Sequence, residues 1–410
     1  MKKLYALLTA YGNTIMLGLA AIPVGVAAGL VDSLFGRVLL ELTEVRLAHP
    51  YALIPFLALA GAAIVWCMRR LGGASVKGMT LIFEAGHGVT DDIPLRLIPL
   101  AIGGTWLTHL FGGSSGREGV AVQIGGTIGH AVGKELPLKN AGRLMLIAGM
   151  AAGFAGLFRT PLAATFFAIE VLTAGVLEYR AIFPAMVAAF VASRTSGLCG
   201  LGKFTFALSG ALSPTLETGA RLIVLGAAFG ITGGLFAWTM HRIKDGLARL
   251  FPHPLVRVLT VGACLSVLSL LCWGGRYSGV STQLIGLAFE GKAFPWDFAL
   301  KALFTIVTLS AGFLGGEVVP LFVTGATLGS VIGPLIGLPP AYAAALGCVA
   351  VFGGATNTLL GPIVIGGEIF GFAHLPYIFV ACTVAYVCNG NSSIYKLQKG
   401  RQLHDENPHS

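Results

Sequence analysis

The chain has 410 residues, of which 55% are hydrophobic and only 11% charged, with a formal net charge of +9. A soluble chain is about 25% charged, so this one cannot cover a water-facing surface of its size, and lipid must be part of its solvent. The positive balance does not point to nucleic acid: no basic cluster with interleaved aromatics occurs, and Lys and Arg mostly punctuate apolar runs, as the positive-inside rule expects.

In chain order the apolar runs cover residues 4–30, 51–68, 97–111, 144–176, 181–192, 222–240, 258–273, 302–314, 318–338, 341–365 and 375–387. A full crossing needs about 20 apolar residues. Several runs are shorter, and several are longer but interrupted by Gly or Pro, which predicts tilted and discontinuous helices rather than a simple bundle. The first run is too long for a signal-peptide core, so it is read as retained. Lys2 and Lys3 open the chain, and Lys396, Lys399 and Arg401 close it; both termini are therefore expected to be cytoplasmic, with an even number of crossings. Residues 401–410 read as a frayed polar tail. The seven cysteines are odd in number and contain no C-x-x-C pair. They read as small core residues, not as a disulfide framework or zinc site, and no metal or cofactor is expected.

The sequence also repeats itself. The segment from Gly149 matches that from Gly347 at an offset of 198, with Gly149/Gly347, Ala152/Ala350, Phe154/Phe352, Gly156/Gly354, Thr160/Thr358, Leu162/Leu360 and Glu170/Glu368 coinciding. Just upstream, residues 116–133 match 316–333 at an offset of 200, through Gly116/Gly316, Gly125/Gly325, Thr127/Thr327, Gly129/Gly329 and Gly133/Gly333. Two adjacent blocks at nearly one offset predict a duplication, divided here as a first membrane repeat over 1–195 and a second over 196–400. Paired halves with broken helices carry a transporter's binding site near the bilayer midplane.

Charged residues inside such a chain are functional candidates by default. Between Lys301 and Lys396 only Glu317 and Glu368 are charged. A structural carboxyl bonded to backbone amides is the plainer reading of Glu368, which has its counterpart in Glu170. Glu317 follows a Gly-Gly break and is the stronger functional candidate. In residues 111–133 a glycine-rich break leads to Arg117 and Glu118, and an apolar helix pattern follows. A helix start there places free N–H groups and about half a positive charge beside Glu118, which makes an anion site. A carboxylate can occupy that site itself. An incoming anion must displace it, and a displaced carboxylate in a poor dielectric tends to take a proton, so one glutamate could gate anions and carry protons.

A second break, Gly315-Gly316-Glu317-Val318-Val319-Pro320, aims the amides of Val318 and Val319 toward the same region, with Pro at a favourable early helical position. A third helix start is read at Lys77-Gly78-Met79-Thr80. Tyr395, after a polar loop, offers a hydroxyl donor, although a lone interfacial tyrosine has the same appearance. The letters of Gly112-Gly113-Ser114-Ser115-Gly116 fit G-x-S-x-G, but that motif needs a strand-to-helix elbow and a placed histidine, which neither His109 nor His130 evidently supplies. No catalytic residue is assigned.

Gly116-Arg117-Glu118-Gly119 with Gln123-Ile124-Gly125-Gly126 resembles the GREGPxxQIGG motif of CLC chloride channels and transporters, with Val120 in place of the motif's proline. Residues 315–320 resemble the family's GGxFxP anion-site segment, and Tyr395 falls where its central tyrosine is expected. The resemblance covers nearly the whole chain. It implies an all-α polytopic membrane protein built as an inverted repeat of tilted and broken helices, and a homodimer in the lipid of an inner membrane with one pore per subunit. It further implies a gating glutamate at Glu118 and anion-coordinating groups at Val318, Val319 and Tyr395, joined by the helix starts at Gly78, Met79, Gly116 and Arg117. The departures are informative. This chain has Lys77-Gly78-Met79-Thr80 where chloride-type members carry GSGIP. It has Glu317 where they carry an apolar residue. Val171 stands where proton-coupled chloride members place an inner proton-accepting glutamate. These departures are similar to the fluoride/proton antiporter branch, which implies fluoride export in exchange for protons, with Glu118 and Glu317 as proton carriers. The alternative is a chloride channel or chloride/proton exchanger of the same fold. Fluoride is small, strongly hydrated and a strong acceptor, and helix starts plus a hydroxyl can replace its water shell.

Overall fold

The computed structural model describes residues 2–208, 210 and 212–400; the polar tail read at 401–410 lies outside the described residues. Most of the described residues are helical. The first half comprises α1 (Lys2–Ala48), α2 (Pro50–Leu53), α3 (Leu57–Cys67), α4 (Met79–Gly86), α5 (Leu97–Leu110), α6 (Glu118–Lys134), α7 (Ala141–Phe158), α8 (Pro161–Glu170) and α9 (Ile182–Leu198). The second comprises α10 (Leu216–Leu250), α11 (Pro254–Leu271), α12 (Gln283–Phe289), α13 (Asp297–Ala311), α14 (Val318–Leu335), α15 (Pro340–Thr356), α16 (Leu360–Phe370) and α17 (Leu375–Cys388). Helices dominate because a backbone in hydrocarbon must satisfy its own N–H and C=O groups.

Among the described residues, seven helical stretches are long and apolar enough to cross a membrane, and five apolar helices are shorter. The run read at 51–68 is not one helix: α2, a 3-10 turn at Ile54–Phe56 and α3 divide it, with Pro at the start of both short pieces. The run ends in a π turn and a 3-10 turn before α4.

The duplication is visible in the backbone. The antiparallel hairpins α6–α7 and α14–α15 form the buried centre. Each depends on glycine where its helices cross. A Cβ on Gly125 would run into the carbonyl of Gly149, and one on Gly325 into that of Gly347, so the missing side chains let backbones touch, as membrane helices require. α7 ends on Arg159 and α15 on Asn357, both left-handed with φ of 59° and 53°, and these two residues are 198 apart like the rest of the block. Gly116 and Gly316 form an antiparallel bridge in which each N–H donates to the other's carbonyl, at 2.5 and 2.8 Å. Equivalent residues that exchange both hydrogen bonds are related by a local two-fold rotation, so the two helix breaks meet on a pseudo-symmetry axis.

The pair Glu170 and Glu368 obeys the same symmetry. Glu170, at the end of α8, accepts from the amides of Leu359, Leu360 and Gly361 at 2.6, 3.2 and 3.0 Å, where α16 begins. Glu368, near the end of α16, accepts from Leu162 and Ala163 at 3.3 and 2.8 Å, where α8 begins. Each carboxylate thus satisfies the orphan donors of the other's helix, which is the structural role read for this pair.

Candidate functional site

Three helix starts converge beside the Gly116–Gly316 bridge. α6 begins at Glu118 with Arg117 as its N-cap residue, and α14 begins at Val318 with Glu317 as its N-cap residue. α4 begins at Met79 on Gly78, whose φ of 54° and ψ of −124° lie in a region that glycine alone enters freely. The missing side chain of Gly316 exposes the first amides of α6: a Cβ there would lie 2.7 Å from the Gly119 nitrogen and 3.3 Å from that of Glu118.

Glu118 is fully buried. Its Oε2 accepts from the Arg117 amide at 3.0 Å, the amides of Glu118 itself and of Val319 lie within electrostatic reach, and Oε1 is buried without a hydrogen-bond partner among the described residues. Arg117 Nε lies 3.5 Å from Oε1. The carboxylate therefore lies among backbone donors from both helix starts. Val318 and Val319 are buried, and Gly116 leaves just enough room, since a Cβ on it would meet Glu118 Oε2 and Pro320 Cδ, each at 2.8 Å.

Arg117 divides its contacts. Its backbone faces the site, while its guanidinium turns toward α1, where Nη1 donates to the Gly36 carbonyl at 3.4 Å and the buried Asp32 lies within electrostatic reach. The guanidinium is thus shared between the Gly36 carbonyl of α1 and the Glu118 carboxylate.

A cavity of about 450 Å³ opens on the site, and Gly78, Met79, Glu317 and Tyr395 all line it. Met79 Cε and Glu317 Oε2 both come within 4 Å of where a side chain on Gly119 would start. Tyr395 is buried and stacks on Phe83, with centroids 5.0 Å apart, and its nearest acidic influence is Glu317. Farther out, Arg69, Lys77, Lys244, Arg257 and Lys396 line the cavity against only Asp245 and Glu317 as acids. This excess of cations raises the local concentration of anions. Among these, Lys244 lies within electrostatic reach of Glu317.

All nine residues singled out from the sequence thus lie at the site or in the segments that form it. Sequence reasoning missed Phe83, the support for Tyr395, although it stands one helical turn after Met79. It missed Gln123 as a lining residue, although it belongs to the motif; its Nε2 donates to the Gly119 carbonyl at 3.2 Å. It missed the vestibule cations, which come from the turns between α3 and α4, from α10, from α11 and from the last segment and carry no common motif.

The C-terminal segment that carries Tyr395 is strapped down. Ile394 N donates to Ala355 O at 2.9 Å, and Gln398 Nε2 donates to both Val171 O and Thr356 O at 3.0 Å. Ser114 of the G-x-S-x-G letters is buried, and its Oγ bonds to Lys301 Nζ at 3.0 Å and Thr305 Oγ1 at 2.9 Å. His109 directs its two ring nitrogens at the Thr105 and Ser115 carbonyls. The pattern therefore forms no nucleophile–base pair with His109.

Comparisons with known proteins agree with this geometry. The profile of the family described as "Voltage gated chloride channel" matches residues 60–390. A "Chloride/fluoride channel protein" of Pseudomonas syringae pv. tomato is 37% identical over 386 residues, covering 92% of this chain and 84% of the relative. A solved structure of a CLC-type fluoride/proton antiporter is 47% identical, with a TM-score of 0.93, covering 95% of this chain and 99% of that one. A slow cyanobacterial Cl−/H+ antiporter shares the fold at a TM-score of 0.78 and 20% identity, over 92% of this chain and 96% of that one. The many apolar helices and these matches together make the chain an integral, multi-pass membrane protein, and it belongs to the voltage gated chloride channel family, the CLC family.

Proposed function

We propose that the chain is a secondary active transporter that exports fluoride in exchange for protons, with Glu118 as the gate. The observation that carries this reading is the Glu118 carboxylate lying among the amides of two helix starts. An arriving fluoride competes for those donors. Displaced from them into a poor dielectric, the carboxylate takes a proton; when it returns, it gives the proton up and expels the anion. The Arg117 guanidinium beside the carboxylate is shared with the Gly36 carbonyl, so the anion is held chiefly by amides and can leave as well as arrive.

Val171, where chloride-type exchangers carry their inner glutamate, is buried, and its carbonyl is held by Gln398. Glu317 supplies the other route. It lines the cavity, and both Lys244 and Glu118 lie within its electrostatic reach. Protons pass from the cavity to Glu317 and on to Glu118 in this scheme. Anions enter along the vestibule cations to Met79, Tyr395 and the amides of Val318 and Val319. The name of the solved relative and the 47% identity support fluoride and proton coupling. The division into repeats over 1–195 and 196–400 is supported by the mirrored caps and the Gly116–Gly316 bridge. A homodimer in the lipid of an inner membrane, with both termini cytoplasmic, completes the proposal.

The test is fluoride efflux from liposomes containing the purified chain, with internal pH recorded. Exchange predicts that outward fluoride flow drives protons inward against a proton gradient. Fluoride or chloride flow that leaves protons at equilibrium would replace the exchanger with a channel.

A further inference from the structure

One fully buried cation lies outside the route described above. Lys301 is on α13, behind the first break, and is absent from the cavity lining. Its Nζ donates to Ser114 Oγ, Tyr277 O, Gly279 O and Ser281 Oγ at 3.0, 3.2, 2.7 and 3.1 Å. Among the described residues no carboxylate forms an ion pair with it. Asp297, one turn earlier on the same helix, is taken by Arg276, the Tyr277 hydroxyl and the Phe294 amide. The charge within its electrostatic reach is another cation, the buried Arg46, whose Nη1 donates to the His109 carbonyl at 2.6 Å. A buried ammonium without a counter-charge is costly, and here only two carbonyls and two hydroxyls offset that cost.

The cage joins three parts of the chain at the break. The 276–281 loop contributes three of the four oxygens and is tied to the break by Gly279 N donating to Gly113 O at 2.9 Å. Ser114 contributes the fourth. The same face of α13 presents Thr305 and Thr308 at one and two turns beyond Lys301; Thr305 Oγ1 meets Ser114 Oγ, and Thr308 Oγ1 accepts from the Ser114 amide at 3.2 Å. Ser114 is two residues from Gly116, which fixes the start of α6. Oxygens converging on a small monovalent charge, with no carboxylate, are what carbonyl-lined potassium sites present, and a potassium or ammonium ion matches the lysine head in size and charge.

We propose that Lys301 is a tethered monovalent cation, a positioning residue whose ammonium fills this four-oxygen cage and holds the first break in the geometry from which Glu118 works, and that the cage accepts a free monovalent cation when the side chain is removed. The proposal rests on the gating reading of Glu118.

The test uses the full chain purified and reconstituted in parallel in potassium gluconate and in N-methylglucamine gluconate, whose cation is too large for the cage. Fluoride turnover per folded protein is read with a fluoride electrode, and melting temperature is read in detergent with and without potassium or ammonium. Lys301→Ala is expected to lose about tenfold in turnover in N-methylglucamine, to regain most of it in potassium, and to melt higher as potassium or ammonium rises. Lys301→Met, whose side chain still fills the space without charge, is expected to stay slow in both salts, and the wild type to be indifferent to the cation. If Lys301→Ala is monodisperse only when prepared in a small cation, that also supports a vacated cation site. Wild-type turnover per folded Lys301→Ala in N-methylglucamine, or a loss that no small cation repairs in turnover, melting temperature or recovery, would overturn the proposal. Absence of fluoride flux in the wild type itself would instead remove the functional reading on which it stands.

Discussion

The two helix breaks share a backbone and differ in almost every side chain that matters. Gly116 and Gly316 pair across the local two-fold axis, yet Arg117 faces Glu317, Glu118 faces Val318, and Ser114 faces Leu314 in the mirrored positions. Their supports differ too. On α13, Thr305 turns outward to Ser114, and Lys301 completes a polar clamp. On α5 the matching Thr105 bonds back to Ala101 O at 2.7 Å, Ala101 stands where Lys301 would be, and Leu314 packs on the bare face of Gly104. The first break is fixed by polar contacts away from the cavity, and the second borders the cavity itself. The repeat therefore presents a symmetric frame of helix starts, and side chains make it asymmetric: a carboxylate beside the amides on one side, and a second carboxylate at the cavity wall on the other.

Adding one methyl to each glycine of the bridge separates the two roles with the largest expected effect. Gly316→Ala places a carbon over the Gly119 and Glu118 amides and is expected to lower fluoride turnover by about tenfold or more, as a change of ~1.4 kcal/mol at the site would. Gly116→Ala pushes instead on the Glu118 carboxylate and on Pro320, so it should impair coupling as well as flux. Equal ratios of proton to fluoride flow in the two variants would erase the distinction drawn between the breaks.

Glu317→Gln should be milder for the anion and harsher for the proton. It keeps the size of the side chain at the cavity wall but removes the relay, so proton uptake is expected to fall several-fold while fluoride still moves. Unchanged coupling in liposomes would take Glu317 out of the proton route.

The caps should show the smallest effect, and on stability alone. Glu170→Ala orphans three amides and Glu368→Ala two. Losses of about 1–3 kcal/mol are expected, larger for Glu170, whose side chain is more deeply buried. Denaturation of the purified variants, with turnover per folded protein unchanged, is the check.

Much of this organisation is legible in the sequence because it is written in residues with special backbone roles. The glycines at 116, 125, 316 and 325 repeat at one offset, and each marks a break or a close helix crossing, so the duplication and the helix starts around Glu118 and Val318 could be placed before any coordinates. What stayed hidden depends on long-range partners. Lys301 borders an apolar run and reads as its flank; only the fold brings Ser114, Tyr277, Gly279 and Ser281 around it. Glu170 and Glu368 coincide in the repeat, but nothing local says that each caps the other's helix. Phe83 supports Tyr395 from hundreds of residues away in the chain, Gln398 ties the Tyr395 segment to the distant Val171 carbonyl, and the guanidinium of Arg117 reaches α1 because Gly36 and Asp32 wait there, which no spacing announces.

The central claim is that the Glu118 carboxylate trades places with the transported anion. Glu118→Gln preserves the size of the side chain and removes the titratable charge, and it is best measured in liposomes with fluoride and pH recorded together. Proton uptake driven by fluoride efflux is predicted to vanish in that variant, with any remaining fluoride flow passive. Proton uptake at the wild-type ratio would contradict the account.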